Sequence, residues 1–271
     1  MAISILSIIN FIMPKDGGSR QLARDLAYGQ GNRQQLDIYA PRTSAGAQKL
    51  PVVFFIYGGS WCDGSRHQYS FVGRALAALG FVTVVADYRV LPDVEYPSFL
   101  DDGALAVQWV VDNIERYGGD PARMALMGHS AGAYNAAMLA LDPAYLKARG
   151  LLSRVKCVVG LSGPYDFFPF DGPISLRTFG AVRDPRTTQP VNLVSAAAPP
   201  MFLGTGEKDT LVYPRNSVAL AQRLRDCGVD VVERHYDTLG HPGTLMALGT
   251  VPRGMAPVLS EVAGFLRQHL A

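Results

Sequence analysis

Two uninterrupted apolar runs set the frame for this chain. Val52 to Tyr57 reads Val-Val-Phe-Phe-Ile-Tyr, and Phe81 to Ala86 reads Phe-Val-Thr-Val-Val-Ala. Strands half-exposed to water alternate apolar and polar residues, whereas strands covered on both faces do not. Both runs therefore belong in the middle of a parallel sheet with helices on each side. What lies between and after them agrees. A helix fits Tyr69 to Leu79, closed by Gly80 at the position where a left-handed residue ends helices. A second fits Asp101 to Tyr117, with Leu105, Val107, Val110, Val111 and Ile114 at roughly helical spacing. Arg123 to Met127 is the next strand, followed by a helix of small residues over Ala131 to Leu141. Further strands fit Gln34 to Tyr39, Lys156 to Leu161, Pro200 to Leu203 and Val229 to Tyr236; two more helices fit Pro214 to Cys227 and Val258 to Leu270. Alternating strands and helices imply an α/β fold with a mostly parallel sheet.

With 271 residues, 48% hydrophobic and 18% charged, the chain has apolar area for one large two-sided core and no mark of disorder. We read residues 1–271 as a single domain. Residues 163–199 carry weak periodicity and several aromatics, and read as a short insertion over the active site. Residues 1–30 form an N-terminal extension whose stretch 2–13 is apolar and stops at Pro14. That stretch is too short to span a bilayer, and it lacks a positive start and a small-residue cleavage site. It is expected to pack on the domain or over a pocket mouth, with membrane-surface or dimer contact as the alternatives. The formal net charge is +2 with no run of Lys and Arg, which argues against a nucleic-acid partner and for a small, weakly charged or apolar one. Cys62, Cys157 and Cys227 have no paired spacing, so neither a disulfide framework nor a zinc site is expected, and a reducing, cytoplasmic setting is. Nothing calls for a metal or cofactor, and the oligomeric state is left open.

Gly128-His129-Ser130-Ala131-Gly132 is the one G-x-S-x-G of the chain, placed between a buried strand and an Ala-rich helix. A serine in such a turn has a strained backbone, and Gly128 and Gly132 leave the turn uncrowded. A hydroxyl is a poor nucleophile at neutral pH and needs an adjacent base. Of His67, His129, His235, His241 and His269, the candidate is His241, in the loop Thr238 to Gly243 after the last strand. His129 belongs to the turn itself, with its side chain expected to point away from that of Ser130. The acid should follow the strand Pro200 to Leu203. Asp209 is our choice, with Glu207 the rival; its work would be to hold one imidazole tautomer.

Several motifs now stand in order: Leu36-Asp37-Ile38-Tyr39, Tyr57-Gly58-Gly59-Ser60-Trp61, Asp87-Tyr88-Arg89, Gly119-Asp120-Pro121, the turn at Ser130, Gly206 to Val212, and His241. Through them the chain, from about Leu36 to its end, resembles the hormone-sensitive-lipase-like and feruloyl-esterase-like carboxylesterases of the α/β-hydrolase fold, and is also similar to kynurenine formamidases. The resemblance implies a serine carboxylesterase for short-chain or small aryl esters, acting through an acyl-enzyme on Ser130. An amide-directed hydrolase of the formamidase type is the alternative, and a non-catalytic ligand-binding module on the same fold is the alternative of another class. By position, the backbone N–H groups of Gly59, Ser60 and Ala131 would form the oxyanion hole. The family loop usually reads His-Gly-Gly-Gly, and this chain has Tyr57-Gly58-Gly59-Ser60. We expect the Tyr57 hydroxyl to support the loop as the histidine would, and the Ser60 hydroxyl to be available as an additional donor. Asp87, Tyr88, Arg89, Asp101 and Asp102 are expected to brace the sheet. Trp61, Phe167, Phe168, Phe170 and Phe179 are the candidates for an apolar acyl or aryl pocket.

Overall fold

The computed structural model describes residues 5–43 and 48–271; residues 2–4 of the apolar N-terminal stretch and 44–47 of the turn after the first predicted strand lie outside them. Among the described residues, eight strands form one sheet: β1 (Ser19–Ala27), β2 (Gln35–Pro41), β3 (Leu50–Ile56), β4 (Val82–Ala86), β5 (Gly119–His129), β6 (Val155–Leu161), β7 (Met201–Gly206) and β8 (Val231–Tyr236). Their spatial order is β1-β2-β4-β3-β5-β6-β7-β8. β2 pairs antiparallel with both β1 and β4, and every pairing from β4 to β8 is parallel. The two apolar runs fall on adjacent central strands, with Val52, Val53, Phe54, Phe55, Val82, Val84 and Val85 all without solvent exposure.

The chain steps outward from β3 to β4 through α2 (Ser70–Ala78), then returns past β3 through α3 (Ser98–Asn113) to reach β5. Right-handed crossovers in opposite directions put α2 and α3 on opposite faces of the sheet. That reversal opens a crevice at the carboxyl ends of β3 and β5, where α/β sheets bind ligands. Next comes α4 (Ala131–Leu141), every residue of which is buried. This explains its composition: a helix enclosed on all sides shows no polar stripe. α6 (Arg215–Asp226) leads to β8, and α8 (Val258–Leu270) closes the chain, with Phe265 against Phe202 of β7.

Three elements were not foreseen. β1 is a polar edge strand, α5 (Pro173–Phe179) spans seven residues inside the insertion, and α7 (Gly243–Met246) is a single turn after the His241 loop. The predicted helix over 101–117 begins earlier, at Ser98, and tightens into a 3-10 turn over Ile114–Tyr117. The apolar N-terminal stretch forms α1 (Ile5–Ile12). Asn10 ties it to the domain: its side-chain carbonyl accepts from Ser70 Oγ (2.9 Å) and from the Phe71 N–H (3.1 Å), capping α2, while its amide donates to the His67 carbonyl (2.7 Å). Met13 is buried behind it, whereas Ile8, Phe11 and Ile12 face outward. Among the described residues, no helix is long and apolar enough to cross a membrane.

Candidate active site

The residues singled out from the sequence meet at the carboxyl ends of the parallel strands. β5 ends at His129, and Ser130 follows at φ 55°, ψ −126°, before α4 begins at Ala131. An L-residue adopts that backbone only where its surroundings enforce it. Here the turn is pinned by the Ser130 N–H on the Leu161 carbonyl (2.9 Å) and by the Ala133 N–H on the Ser130 carbonyl (2.9 Å). The flanking glycines are required sterically. A side chain at Gly128 would overlap the Gly132 carbonyl, and one at Gly132 would overlap the carbonyls of Ile56 and Tyr57.

Ser130 Oγ lies 2.8 Å from His241 Nε2, and His241 Nδ1 lies 2.8 Å from Asp209 Oδ2. Ser130 and Asp209 are buried, at 7% and 2% exposure. Asp209 is further fixed by the N–H groups of Leu211 (3.0 Å) and Val212 (2.8 Å) on its other oxygen. Burial pushes its carboxyl pKa up, but the hydrogen bonds from His241 and from these N–H groups outweigh it, leaving the pKa below the ordinary value. A carboxylate so held stays ionised, and its negative charge fixes the proton of the neutral imidazole on Nδ1. Glu207 is not part of this chain of contacts. It pairs with His235 on the edge strand, which also contacts Glu233 (2.8 Å). His67 lies 3.7 Å from Asp25 and from Asp37, and His269 is 3.5 Å from Asp230. His129 has a contact for which no motif prepares: its Nε2 is 3.0 Å from the His241 carbonyl.

Opposite the serine runs the loop after β3. Gly59, Ser60 and Trp61 all have positive φ, at 133°, 51° and 56°. The loop curls back on itself, with the N–H groups of Cys62 and Asp63 both on the Gly59 carbonyl (3.0 Å). Among the described residues, the N–H groups of Gly59, Ser60 and Ala131 donate to no protein acceptor, and the Ser60 hydroxyl has no partner. The Ala131 N–H is one of the orphan donors that every helix start leaves.

Support for this loop is less direct than expected. The Tyr57 hydroxyl donates to Asp87 Oδ1 (2.8 Å) and accepts from Arg33 (3.0 Å), and bonds no atom of residues 58–61. Its ring is stacked between Tyr69 and Tyr88. The loop is held instead along its length, with the Leu91 N–H on the Trp61 carbonyl (2.8 Å) and further bonds at its far end. Arg33 donates to the Gly64 carbonyl (2.7 Å), and the Arg66 N–H donates to Asp87 Oδ1 (2.7 Å). Asp102 is buried and fixes Arg89 and Gln34, whereas the neighbouring Asp101 is exposed and joins no brace.

A pocket of about 270 Å³ opens beside Ser130. Ser60, Trp61, Ala131, Phe167, Ile174, Leu211 and Val212 are among its walls. Of the predicted aromatics, Trp61 and Phe167 line it, their rings stacked with centroids 6.1 Å apart. Phe179 does not. It is fully buried behind them, meeting Trp61 edge-on at 4.9 Å. Phe170 packs on Phe179, and Phe168 is exposed on the outside of Phe170. Sequence composition singles out aromatics but cannot say which face the lumen. Leu211 and Val212, whose N–H groups bind Asp209 while their side chains line the pocket, were missed.

Comparison with known proteins agrees with this fold. Residues 36–224 match the BD-FAE family model. Esterase LipQ of Mycobacterium tuberculosis is 31% identical over 262 residues, covering 89% of this chain and 62% of the relative. A probable isoprenylcysteine alpha-carbonyl methylesterase of Arabidopsis thaliana is 37% identical over 155 residues, covering 55% of this chain and 36% of the relative. The chain thus spans between about a third and three-fifths of the length of these relatives. Among solved structures, a truncated carbohydrate esterase from gut microbiota superposes with a TM-score of 0.80 at 20% identity, covering 95% of this chain and 99% of that one. Esterase B from Lactobacillus rhamnosis gives 0.81 at 19% identity, covering 97% and 92%. The sheet order, the strained serine turn and the match across residues 36–224 lead to one conclusion: this chain has the α/β-hydrolase fold and belongs to the BD-FAE family.

Proposed function

We propose that the chain is a serine carboxylesterase acting on small esters, with Ser130 as nucleophile, His241 as general base and acid, and Asp209 as the carboxylate that orients the imidazole. The observation that carries this reading is the unbroken line from Ser130 Oγ through His241 to Asp209, with both links at 2.8 Å. Ser130 attacks the ester carbonyl as His241 Nε2 takes its proton, and the tetrahedral oxyanion settles among the free N–H groups of Gly59, Ser60 and Ala131. His241 returns the proton to the departing alcohol. A water molecule then repeats the sequence on the acyl-enzyme.

The apolar pocket beside Ser130 suits a short acyl or small aryl group, because its volume of about 270 Å³ lies just under the range typical of drug-sized ligands. Hydrolysis of p-nitrophenyl butyrate by the wild-type protein should be lost in Ser130→Ala, which should also fail to take a fluorophosphonate label. Turnover should fall as the acyl chain grows beyond about eight carbons. Faster hydrolysis of palmitoyl than of butyryl esters would overturn the small-ester assignment, and butyrate turnover surviving in Ser130→Ala would overturn the nucleophile.

The oxyanion assignment has its own test. A methyl group at Gly59 would overlap the Asp63 carbonyl, and the φ of 133° is one that side chains rarely adopt. Gly59→Ala must therefore displace the loop and its donors, and kcat should drop about 10²- to 10³-fold, the cost of one lost oxyanion donor. Near-normal turnover in that variant would place the oxyanion elsewhere.

A further inference from the structure

His129 is named by the serine motif only as its variable position. The structure gives it a definite contact. Its ring is buried at 5% exposure, between the serine turn, the loop after β3 and the loop that carries His241. A Cβ built on Gly58 would stand 3.3 Å from His129 Nδ1, so the ring lies directly beneath the start of the oxyanion loop. At its other end, Nε2 is 3.0 Å from the His241 carbonyl, and the two imidazole centroids are 5.1 Å apart.

The direction of that bond follows from chemistry. A carbonyl oxygen accepts and never donates, so the proton sits on His129 Nε2. Burial first, and then the neighbouring His241, push the His129 pKa down to about 3, so the ring is a fixed neutral donor at any working pH. The residues on either side of His241 are tied by their own carbonyls, Gly240 to the Gly243 N–H and Pro242 to the Met246 N–H (both 2.9 Å). Gly240 and Pro242 flank it, and among the described residues the backbone of His241 itself makes no hydrogen bond except the one from His129. The side chain next to the nucleophile therefore ties down the main chain of the base.

We propose that His129 is a positioning residue: its Nε2–H fixes the backbone of His241 relative to Ser130 and so keeps the base within reach of the serine hydroxyl. This rests on the assignment of Ser130 and His241 given above. The function needs a donor at that distance from Cβ, and not an imidazole as such. A glutamine amide can supply one, while methionine fills similar space without one.

The test compares wild type, His129→Gln, His129→Met and Ser130→Ala with p-nitrophenyl butyrate, alongside thermal melts. His129→Gln should keep kcat within about threefold of wild type, and His129→Met should lose about tenfold or more in kcat with KM changed less than about twofold, because a small misplacement of the base costs turnover rather than binding. Both variants should melt at similar temperatures. Equal turnover in the two, high or low, would overturn the proposal, as would a loss in His129→Met that simply follows a lowered melting temperature. If Ser130→Ala is inactive while His129→Met turns over normally, the positioning role alone falls. If Ser130→Ala keeps its activity, the underlying assignment falls and the positioning role goes with it.

Discussion

Asp209→Asn is expected to lower kcat about 10⁴-fold while leaving the fold intact, because it presents the imidazole with the wrong partner. On the proposed assignment, the carboxylate accepts the His241 Nδ1 proton across 2.8 Å, leaving Nε2 bare to take the proton of Ser130. An asparagine amide turned toward the ring would donate to Nδ1 instead, moving the ring proton to Nε2, where it faces the serine and cannot act as a base. The replacement should not disturb folding. Asp209 Oδ1 accepts from the N–H groups of Leu211 and Val212, and the asparagine carbonyl can keep both bonds. The control is Glu207→Gln, which removes only a contact to His235 at a partly exposed site and should stay within about threefold of wild type, as surface pairs are weak. Steady-state hydrolysis of p-nitrophenyl butyrate with matched melting curves checks both. A large loss in Glu207→Gln with a mild one in Asp209→Asn would reverse the assignment of the acid.

That Asp209 could be placed beside His241 from the sequence comes from strand order. Asp209 stands just after β7, and a strand end has one place to go in a parallel sheet. Val52 to Ile56 and Phe81 to Ala86 were legible because full burial erases polar alternation. The same logic explains the failures. β1 lies at the sheet edge with most of its residues partly or fully exposed, so Ser19-Arg-Gln-Leu-Ala-Arg-Asp-Leu-Ala27 carries a strand without a strand's apolar signal. α5 is two turns long, too short for helical periodicity to register. Phe167 and Phe179 are indistinguishable by type, and only packing decides that one lines the pocket while the other buttresses Trp61. The brace around Arg66 joins residues 25, 35, 37, 66 and 87, which no local window contains.

Arg66 is where that unseen brace should have its largest consequence for stability. The residue is 3% exposed, and its guanidinium contacts four side chains: Nε meets Asp37 Oδ1 (3.0 Å), Nη1 meets Asp87, and Nη2 meets Asp25 and Gln35 (2.9 Å). Burial alone would lower the pKa of the guanidinium, but the carboxylates of Asp87, Asp37 and Asp25 reverse that, so it stays charged. Asp37 and Asp87 are themselves buried, at 1% and 5% exposure. Such a cluster contributes modestly over a well-packed apolar substitute, since desolvating the ions offsets most of their attraction. Removing the cation alone is different, because two carboxylates then remain inside without their counter-charge. Arg66→Met should therefore cost about 3–5 kcal/mol of stability. For a chain of this size that corresponds to a fall of roughly 10 °C in melting temperature. Arg66→Lys should fall between the two, since one ammonium cannot reproduce a planar fork that serves three carboxylates. The double variant Arg66→Met/Asp87→Asn should regain part of the loss by removing one of the stranded charges. Because the 3-10 turn Arg66–Tyr69 directly follows the loop that offers the Gly59 and Ser60 N–H groups, the damage should reach turnover as well. At temperatures where Arg66→Met is still folded by circular dichroism, kcat should already be reduced, since the Arg66 N–H on Asp87 would then be left as the one hydrogen bond between the end of that loop and the carboxylates among the described residues. A melting temperature within about 2 °C of wild type would show that the cluster is worth no more than a surface ion pair.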